Sequence, residues 1–111
     1  MPVVASGYER LATFIVVCTY RARAGEEDAV VALHEDWERT LRARIKGCLS
    51  GELLHSVHDP RAFIAIVRYA DEATAQAAAS DPEQAAWQQR LASLTEMGVT
   101  YDEYRCAWQS D

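Results

Sequence analysis

Residues 47–70, GCLSGELLHSVHDPRAFIAIVRYA, decide the fold because they combine two strand patterns with one turn signal. Apolar and polar side chains alternate through residues 49–57, which is typical of a half-buried strand. Asp59-Pro60 is a turn signal, and residues 62–70 are rich in apolar and β-branched side chains. Because the connection is so short, the two strands are predicted to pair as an antiparallel hairpin.

A strand and a long helix precede this hairpin. Residues 14–23, FIVVCTYRAR, are β-branched and aromatic and predict a first strand. Residues 26–44 begin with acidic side chains and carry apolar residues at helical spacing, so they predict a helix. Gly47 is the expected C′ residue of that helix. Gly51, inside the second strand, is expected to allow a close approach of a neighbour or to form a bulge.

A second helical region and a last strand follow the hairpin. Residues 73–80 predict a short alanine-rich helix, and a further helix begins after Asp81 as N-cap, with proline at its first position and Gln84 three residues after the cap. Gly98 is expected to end this helix, and residues 99–109 alternate as a fourth strand. The order strand, helix, strand, strand, helix, strand predicts an α+β, ferredoxin-like domain with a four-stranded antiparallel sheet.

Length and charge limit the classes of protein that fit. The 111 residues suit one domain, expected at residues 12–109, with residues 1–11 and 110–111 as tails. The net charge of −6 argues against nucleic acid and anionic membranes as partners. The chain has no apolar segment of membrane-spanning length, and its first residues lack the cationic start of a signal peptide. Three cysteines without a CxxC pair fit a reducing, cytoplasmic location.

The first and third predicted strands are apolar on both faces. Two helices can cover one face of a four-stranded sheet, so the other face would expose a large apolar patch, and such patches mark partner surfaces. We therefore expect a homodimer in which two sheets pack face to face. The alternative is a monomer with a partly apolar open face.

Three segments resemble the antibiotic biosynthesis monooxygenase (ABM) family of dimeric α+β barrels. They are RARAGEEDA, KGCLSGELLHSVHDPRAFIAIVRYADEATAQAAASDP and AAWQQRLASL, within a similarity that runs over residues 13–108. The family contains enzymes that oxidise aromatic polyketides and quinols with O₂ and no cofactor, haem degraders, isomerases and members without known activity. The resemblance implies a pocket between the sheet and the helices, a small aromatic molecule and O₂ as partners, and no cofactor.

His34 is the candidate catalytic base of such a pocket. It lies beside the apolar stripe of the first helix, and histidine is the side chain whose ordinary pKa lies near neutrality. The alternative is a core histidine with satisfied hydrogen bonds. Tyr20, Tyr69 and Arg68 are candidate donors to a substrate oxygen, with surface positions at strand ends as the alternative. The residues expected to form the substrate pocket are Cys18, Tyr20, Trp37, Arg68, Tyr69, Trp87 and Tyr104.

The resemblance also bears on haem. Haem-degrading members have an asparagine in the first strand and an iron-binding histidine on the last helix, where this chain has Cys18 and Trp87. The chain contains no asparagine and no histidine after His58, so haem degradation is not expected. His55 and His58 could share a metal only if the strand bent between them, so no metal site is expected either.

We therefore expect an ABM-like, cofactor-independent monooxygenase acting on a small aromatic, polyketide or quinol-type compound. Such a compound could give an electron to O₂ once it is deprotonated. Two alternatives stay open. One is a ligand-binding accessory dimer without chemistry, and the other is a cyclase or isomerase of the same fold that uses the same base without oxygen.

Overall fold

A computed structural model of the protein describes residues 13–110. The predicted tail at residues 1–11 and the last residue, Asp111, lie outside this range. The helices and strands are β1 (Phe14–Ala22), α1 (Glu27–Thr40), β2 (Cys48–His55), β3 (Ala62–Tyr69), α2 (Glu72–Ala79), α3 (Pro82–Ser93) and β4 (Thr95–Arg105), with a short 3₁₀ turn at Arg42–Arg44.

The strands form one antiparallel sheet in the order β2-β3-β1-β4. The hairpin predicted from residues 47–70 is confirmed by the pairing of Leu53 with Ala65 and of His55 with Phe63. The α+β, ferredoxin-like prediction is confirmed as well. The two most apolar strands, β1 and β3, are the central pair, which explains why both of their faces avoid charged side chains at the centre.

One face of the sheet packs against the helices and forms the core. Cys18 pairs with Ala65, and Tyr20 pairs with Phe63, so these side chains point to the same face. They form one cluster with Val30 and Trp37 of α1, with Leu41 just after that helix, and with Trp87 and Leu91 of α3. A second cluster at the other end of the sheet contains Phe14, Tyr69, Ala75 and Ala78.

The first helix ends earlier than predicted. It stops at Thr40, and a 3₁₀ turn then brings Ile45 against the cluster around Phe14 and Tyr69. Gly47 is therefore not the C′ residue of α1. Its positive φ of 86° serves the turn into β2, where its carbonyl accepts a hydrogen bond from the N–H of Ala70.

The boundary between α3 and β4 also differs from the prediction. The helix ends at Ser93, five residues before Gly98, and β4 begins at Thr95. The N–H of Arg23 donates to the carbonyl of Leu94, and Thr95 is almost fully buried, so the chain is already held in the sheet there. Met97 and Gly98 both have positive φ, at the place where the pairing of β1 with β4 shifts register.

The opposite face of the sheet carries no helix among the described residues. Tyr104 pairs with Ile15 there, and Leu54 pairs with Ile64. Leu54, Ile64 and Tyr104 are 46%, 40% and 53% exposed. This set of residues, with Val17 and Ile66 between them, is called the open sheet face below.

Candidate functional site

A cavity of about 250 Å³ lies between the sheet and helices α1 and α3. This is where the pocket was expected from the family resemblance. Its floor consists of apolar side chains of β1 and β3, and its sides are formed by α1, α3, β2 and Tyr101 of β4. The volume is below the roughly 300–1,000 Å³ of pockets for drug-sized ligands, so the cavity suits a small molecule. The wall contains His34, Cys18, Trp37, Tyr69 and Trp87 from the predicted site.

His34 projects from the middle of α1 into the cavity wall. Its Nδ1 lies 2.9 Å from the carbonyl oxygen of Val30, one turn earlier in the helix. Because a carbonyl can only accept, Nδ1 carries the proton. Nε2 is then the acceptor, and the hydroxyl of Tyr20 donates to it over 3.0 Å. The two hydrogen bonds fix both the tautomer and the orientation of the imidazole.

Burial keeps His34 neutral. It lowers the pKa of the imidazole because the charged form loses solvation, and the hydrogen bond to the Val30 carbonyl offsets this only in part. Trp87 contacts the imidazole edge-on at a centroid distance of 5.0 Å, and Tyr20 stacks on it at 6.0 Å. Burial also raises the pKa of Tyr20, so its hydroxyl stays protonated as the donor. At neutral pH the pair is therefore an uncharged base held by an uncharged phenol.

The two tryptophans of the wall have no free polar group for a ligand. The indole N–H of Trp87 donates to the carbonyl of Leu33 over 2.9 Å. The indole N–H of Trp37 donates to the side-chain oxygen of Gln84, also over 2.9 Å. Both rings therefore contribute flat apolar surface, as expected for a slot that takes an aromatic molecule.

Gln84 is a site residue that the sequence interpretation missed. Its position three residues after Asp81 fits a capping box, yet the N–H of Asp81 donates to the carbonyl of Ala78 instead. Asp81 caps the helix alone by accepting from the N–H of Glu83. The side chain of Gln84 turns inward and is 7% exposed in the cavity wall. A glutamine on the same helical face as Trp87 and Leu91 was the signal available in the sequence.

Cys18 and Tyr69 lie in the wall as uncharged groups. Burial raises the pKa of the Cys18 thiol to about 11 and that of the Tyr69 hydroxyl to about 12. Cys18 is therefore a thiol at neutral pH and lacks the reactivity of a thiolate. Tyr69 is 5% exposed, and its hydroxyl makes no hydrogen bond to any residue from 13 to 110.

Tyr20 is placed differently from Tyr69. Both tyrosines end central strands as predicted, but β1 and β3 are antiparallel, so the two residues lie at opposite ends of the sheet. Tyr20 is 5% exposed, and its hydroxyl contacts His34 at the cavity wall. It orients the imidazole, whereas Tyr69 lines the cavity itself.

The structure does not bring Arg68 and Tyr104 to the cavity. Arg68 pairs with Ile15 and Tyr104 also pairs with Ile15, from the other side, so both side chains lie on the open sheet face. Arg68 forms an ion pair with Glu52 there at 3.1 Å. The alternation of a strand puts Tyr69 and Arg68 on opposite faces, and only Tyr69 faces the helices.

The mouth of the cavity is acidic. Its rim includes Glu35 and Glu38 of α1, together with Val31 and Tyr101. Glu52 of the edge strand β2 also borders the cavity, but its carboxylate lies on the open sheet face. Glu38 pairs with Arg42 at 2.9 Å, and Glu52 pairs with Arg68. Glu35 has no ion pair with any residue in the described part of the chain. The rim therefore disfavours ligands that carry a carboxylate or phosphate.

Residues 13–110 contain no group of three or more His, Cys, Asp or Glu side chains placed to hold a metal ion. His55 stacks on Phe63 at the end of the sheet, and His58 lies in the hairpin turn. None of the helices within these residues has the length and apolar character needed to cross a membrane.

Comparisons with known proteins agree with this fold. No curated protein matches the chain. Among solved structures, a point mutant of SnoaB from Streptomyces nogalater, a cofactor-independent oxygenase, is similar with a TM-score of 0.79, 14% identity and coverage of 88% of this chain and 96% of that one. A conserved protein from Methanosarcina mazei Go1 gives a TM-score of 0.78 at 14% identity, with coverage of 88% and 96%.

A candidate antibiotic biosynthesis monooxygenase from Nitrosomonas europaea gives 0.77 at 14% identity, with 90% of this chain and 95% of that chain covered. These identities show a shared fold only. The sequence comparison is more specific, because residues 13–90 match the protein-family model described as Antibiotic biosynthesis monooxygenase. That match spans most of the chain and includes both His34 and Gln84. The chain therefore belongs to the antibiotic biosynthesis monooxygenase family.

Proposed function

We propose that the protein is a cofactor-independent monooxygenase that oxidises a small aromatic compound of the anthrone or quinol type. The observation that supports this best is the state of His34. A neutral imidazole, fixed by two hydrogen bonds, borders a cavity whose other walls are mostly apolar and aromatic. A base in such a cavity can deprotonate a phenol or an activated carbon without competition from bulk water.

The proton transfer uses the hydroxyl of Tyr20 as an adaptable partner. A hydroxyl can donate or accept, depending on the rotation of its C–O bond. Because this hydroxyl occupies the lone pair of Nε2, it passes its own proton to Nε2 while its oxygen takes the proton of the substrate, and it then accepts from Nε2–H. Nδ1–H keeps its hydrogen bond to the carbonyl of Val30 throughout. Both N–H groups of the imidazolium are then satisfied inside the protein.

The oxidation follows from the deprotonated substrate. The carbanion or phenolate gives one electron to O₂, and the resulting substrate radical combines with superoxide to form a C–O bond. The peroxide takes back the proton and loses water, so that a CH₂ group and O₂ become a carbonyl group and H₂O. O₂ supplies both the oxidising equivalents and the inserted oxygen atom, and no further reductant is needed.

Oxygen uptake tests this function. The assay would use anthrone and a set of hydroquinones with an oxygen electrode and no added cofactor, and would measure O₂ consumed per quinone formed. We expect equal amounts of the two. Substrate conversion under argon would support a cyclase or isomerase, and tight binding without conversion would support an accessory binding protein.

A matched pair of variants tests the role of His34. His34→Gln should lower turnover by about 100-fold or more, the usual scale for loss of a general base, with the fold retained. His55→Gln is the control, because His55 stacks on Phe63 outside the cavity wall. Turnover in His34→Gln within a few-fold of wild type would contradict the proposed base.

We also propose that the active form is a homodimer joined through the open sheet face. The exposed apolar side chains of Leu54, Ile64 and Tyr104 support this, because a monomer would leave them in water. Sedimentation at micromolar concentration would measure the mass. A species of 12.4 kDa alone would contradict the proposal.

A further inference from the structure

The side chain of Gln84 is oriented by a single hydrogen bond. The indole N–H of Trp37 can only donate, so the atom of Gln84 that faces it must be the carboxamide oxygen. The oxygen and the NH₂ group of a carboxamide have nearly the same shape, and this hydrogen bond shows which is which. The NH₂ group is left on the other side of the carboxamide.

This NH₂ group has no partner in the described structure. No residue from 13 to 110 accepts a hydrogen bond from it, although Gln84 is 7% exposed. Gln84 lines the cavity and also an adjoining groove along α2 and β4, so it lies at the boundary between the two spaces. Among the described residues only Nε of Arg42 is a fully buried side-chain polar atom without a partner, so the amide nitrogen of Gln84 is open to water or a ligand. Its two N–H donors are therefore free to bind an acceptor that enters.

The charges around Gln84 restrict what that acceptor can be. The wall formed by the described residues contains no lysine or arginine. Its thiol and its tyrosine hydroxyls are uncharged, since burial raises the pKa of Cys18, Tyr69 and Tyr101. The rim carries carboxylates. A ligand oxygen is therefore met by neutral donors only, which suits a carbonyl or a single phenolate rather than a carboxylate or phosphate.

We propose that the NH₂ group of Gln84 binds the carbonyl or phenolate oxygen of the aromatic ligand and so determines which ligands the cavity accepts. The identity of the ligand as a hydroxylated aromatic rests on the proposed function. Trp37 fixes the oxygen of the amide, so the NH₂ donors of this cavity-lining residue are held in place before the ligand arrives. As a substrate loses a proton to His34, the oxygen that gains charge would be stabilised by these donors.

Binding of two small probes would test this without any turnover. Calorimetry would measure the affinities of 2-naphthol and naphthalene, which differ by one oxygen. We expect wild type to bind 2-naphthol more tightly. Gln84→Leu should weaken 2-naphthol binding by about 10-fold or more and change naphthalene binding by less than about 2-fold, because only the naphthol has an oxygen for the amide.

Control variants separate this effect from a general loss of structure. Gln89→Leu changes an exposed glutamine of the same helix that is outside the cavity wall and should leave both affinities unchanged. Gln84→Glu keeps an acceptor for the N–H of Trp37 but lacks the NH₂ group, so it should lose 2-naphthol binding in the same way. Circular dichroism would confirm that each variant is folded.

Three results would overturn the proposal: 2-naphthol affinity unaffected by Gln84→Leu, equal weakening of both probes, or no binding of 2-naphthol by the wild type. The proposed oxygenase activity can fail independently. If 2-naphthol binding depends on Gln84 while anthrone and the hydroquinones give no O₂ uptake, the binding role of Gln84 stands and the oxygenase function falls.

Discussion

The hydrogen bond from Tyr20 to His34 leads to a stability prediction with an internal control. Tyr20→Phe removes only the hydroxyl, so the ring can still stack on His34 and on Phe63. Nε2 of His34 then loses its donor. Tyr69→Phe removes a hydroxyl from an equally buried ring, also 5% exposed, but this hydroxyl has no partner among residues 13–110. The same chemical change should therefore have different effects at the two sites.

The magnitude follows from the cost of leaving a buried acceptor unsatisfied, which is about 1–3 kcal/mol. His34 borders the cavity, where water can replace part of the lost hydrogen bond, so we expect about 1–2 kcal/mol for Tyr20→Phe. In a domain of about 100 residues this corresponds to a fall in Tm of roughly 5–12 °C. Tyr69→Phe should change the free energy of unfolding by less than about 0.5 kcal/mol, or raise it.

Urea and thermal unfolding at pH 8, where His34 is neutral, would measure both variants. Equal losses of stability for Tyr20→Phe and Tyr69→Phe would refute the reasoning, and so would a loss below about 0.5 kcal/mol for Tyr20→Phe. Either result would mean that the Tyr20 hydroxyl does not satisfy the imidazole. The orientation of the proposed base would then need another cause.

Three further predictions concern pH, packing and assembly. Folding lowers the pKa of His34, so the unfolded chain binds a proton at this histidine before the folded protein does as the pH falls. The free energy of unfolding should therefore decrease below about pH 6.5 by up to about 1.4 kcal/mol per pH unit. Urea titrations between pH 7.5 and 5.5 should show a weaker pH dependence of stability for His34→Gln than for wild type. Gly51→Ala should lower the free energy of unfolding by about 1–3 kcal/mol, measured with denaturant, because the added Cβ would lie 3.1 Å from Cζ3 of Trp37. An unchanged stability would show that the indole can shift at little cost. The double variant Leu54→Asp with Ile64→Asp, which puts two charges at one cross-strand pair of the open sheet face, should sediment as a 12.4 kDa monomer, whereas an unchanged dimer would place the interface elsewhere.

Local sequence patterns were sufficient for the strands and for their order. The runs of β-branched residues in β1 and β3 leave no competing helical pattern, and Asp59-Pro60 marks the hairpin turn. The boundaries that failed depend on contacts made over long distances in the chain. Residues after Thr40 continue a helical pattern, yet Ile45 is drawn into the cluster with Phe14 and Tyr69. No local signal reports that contact.

The sequence predicted only part of the candidate site, because long-range contacts decide which face of the sheet meets the helices. Because β1 and β3 are apolar on both faces, alternation alone did not show which face meets the helices, and Arg68 was placed in the pocket with its neighbour Tyr69. The structure puts them on opposite faces. Gln84 was missed because a capping role already explained its position. Its contact with Trp37 joins residues 47 positions apart, which no sequence window contains.

The way in which α1 holds His34 has a consequence for how the ligand range of this protein can change. The imidazole is fixed by the carbonyl of Val30 in its own helix and by Tyr20 of β1. Val31, Glu35 and Glu38 line the mouth of the cavity from the adjacent face of the same helix and take no part in those hydrogen bonds. Substitutions at these three positions can therefore change which molecules reach the cavity while His34 keeps its tautomer and place. A library randomised there would vary the ligands that enter while the hydrogen bonds of His34 stay intact.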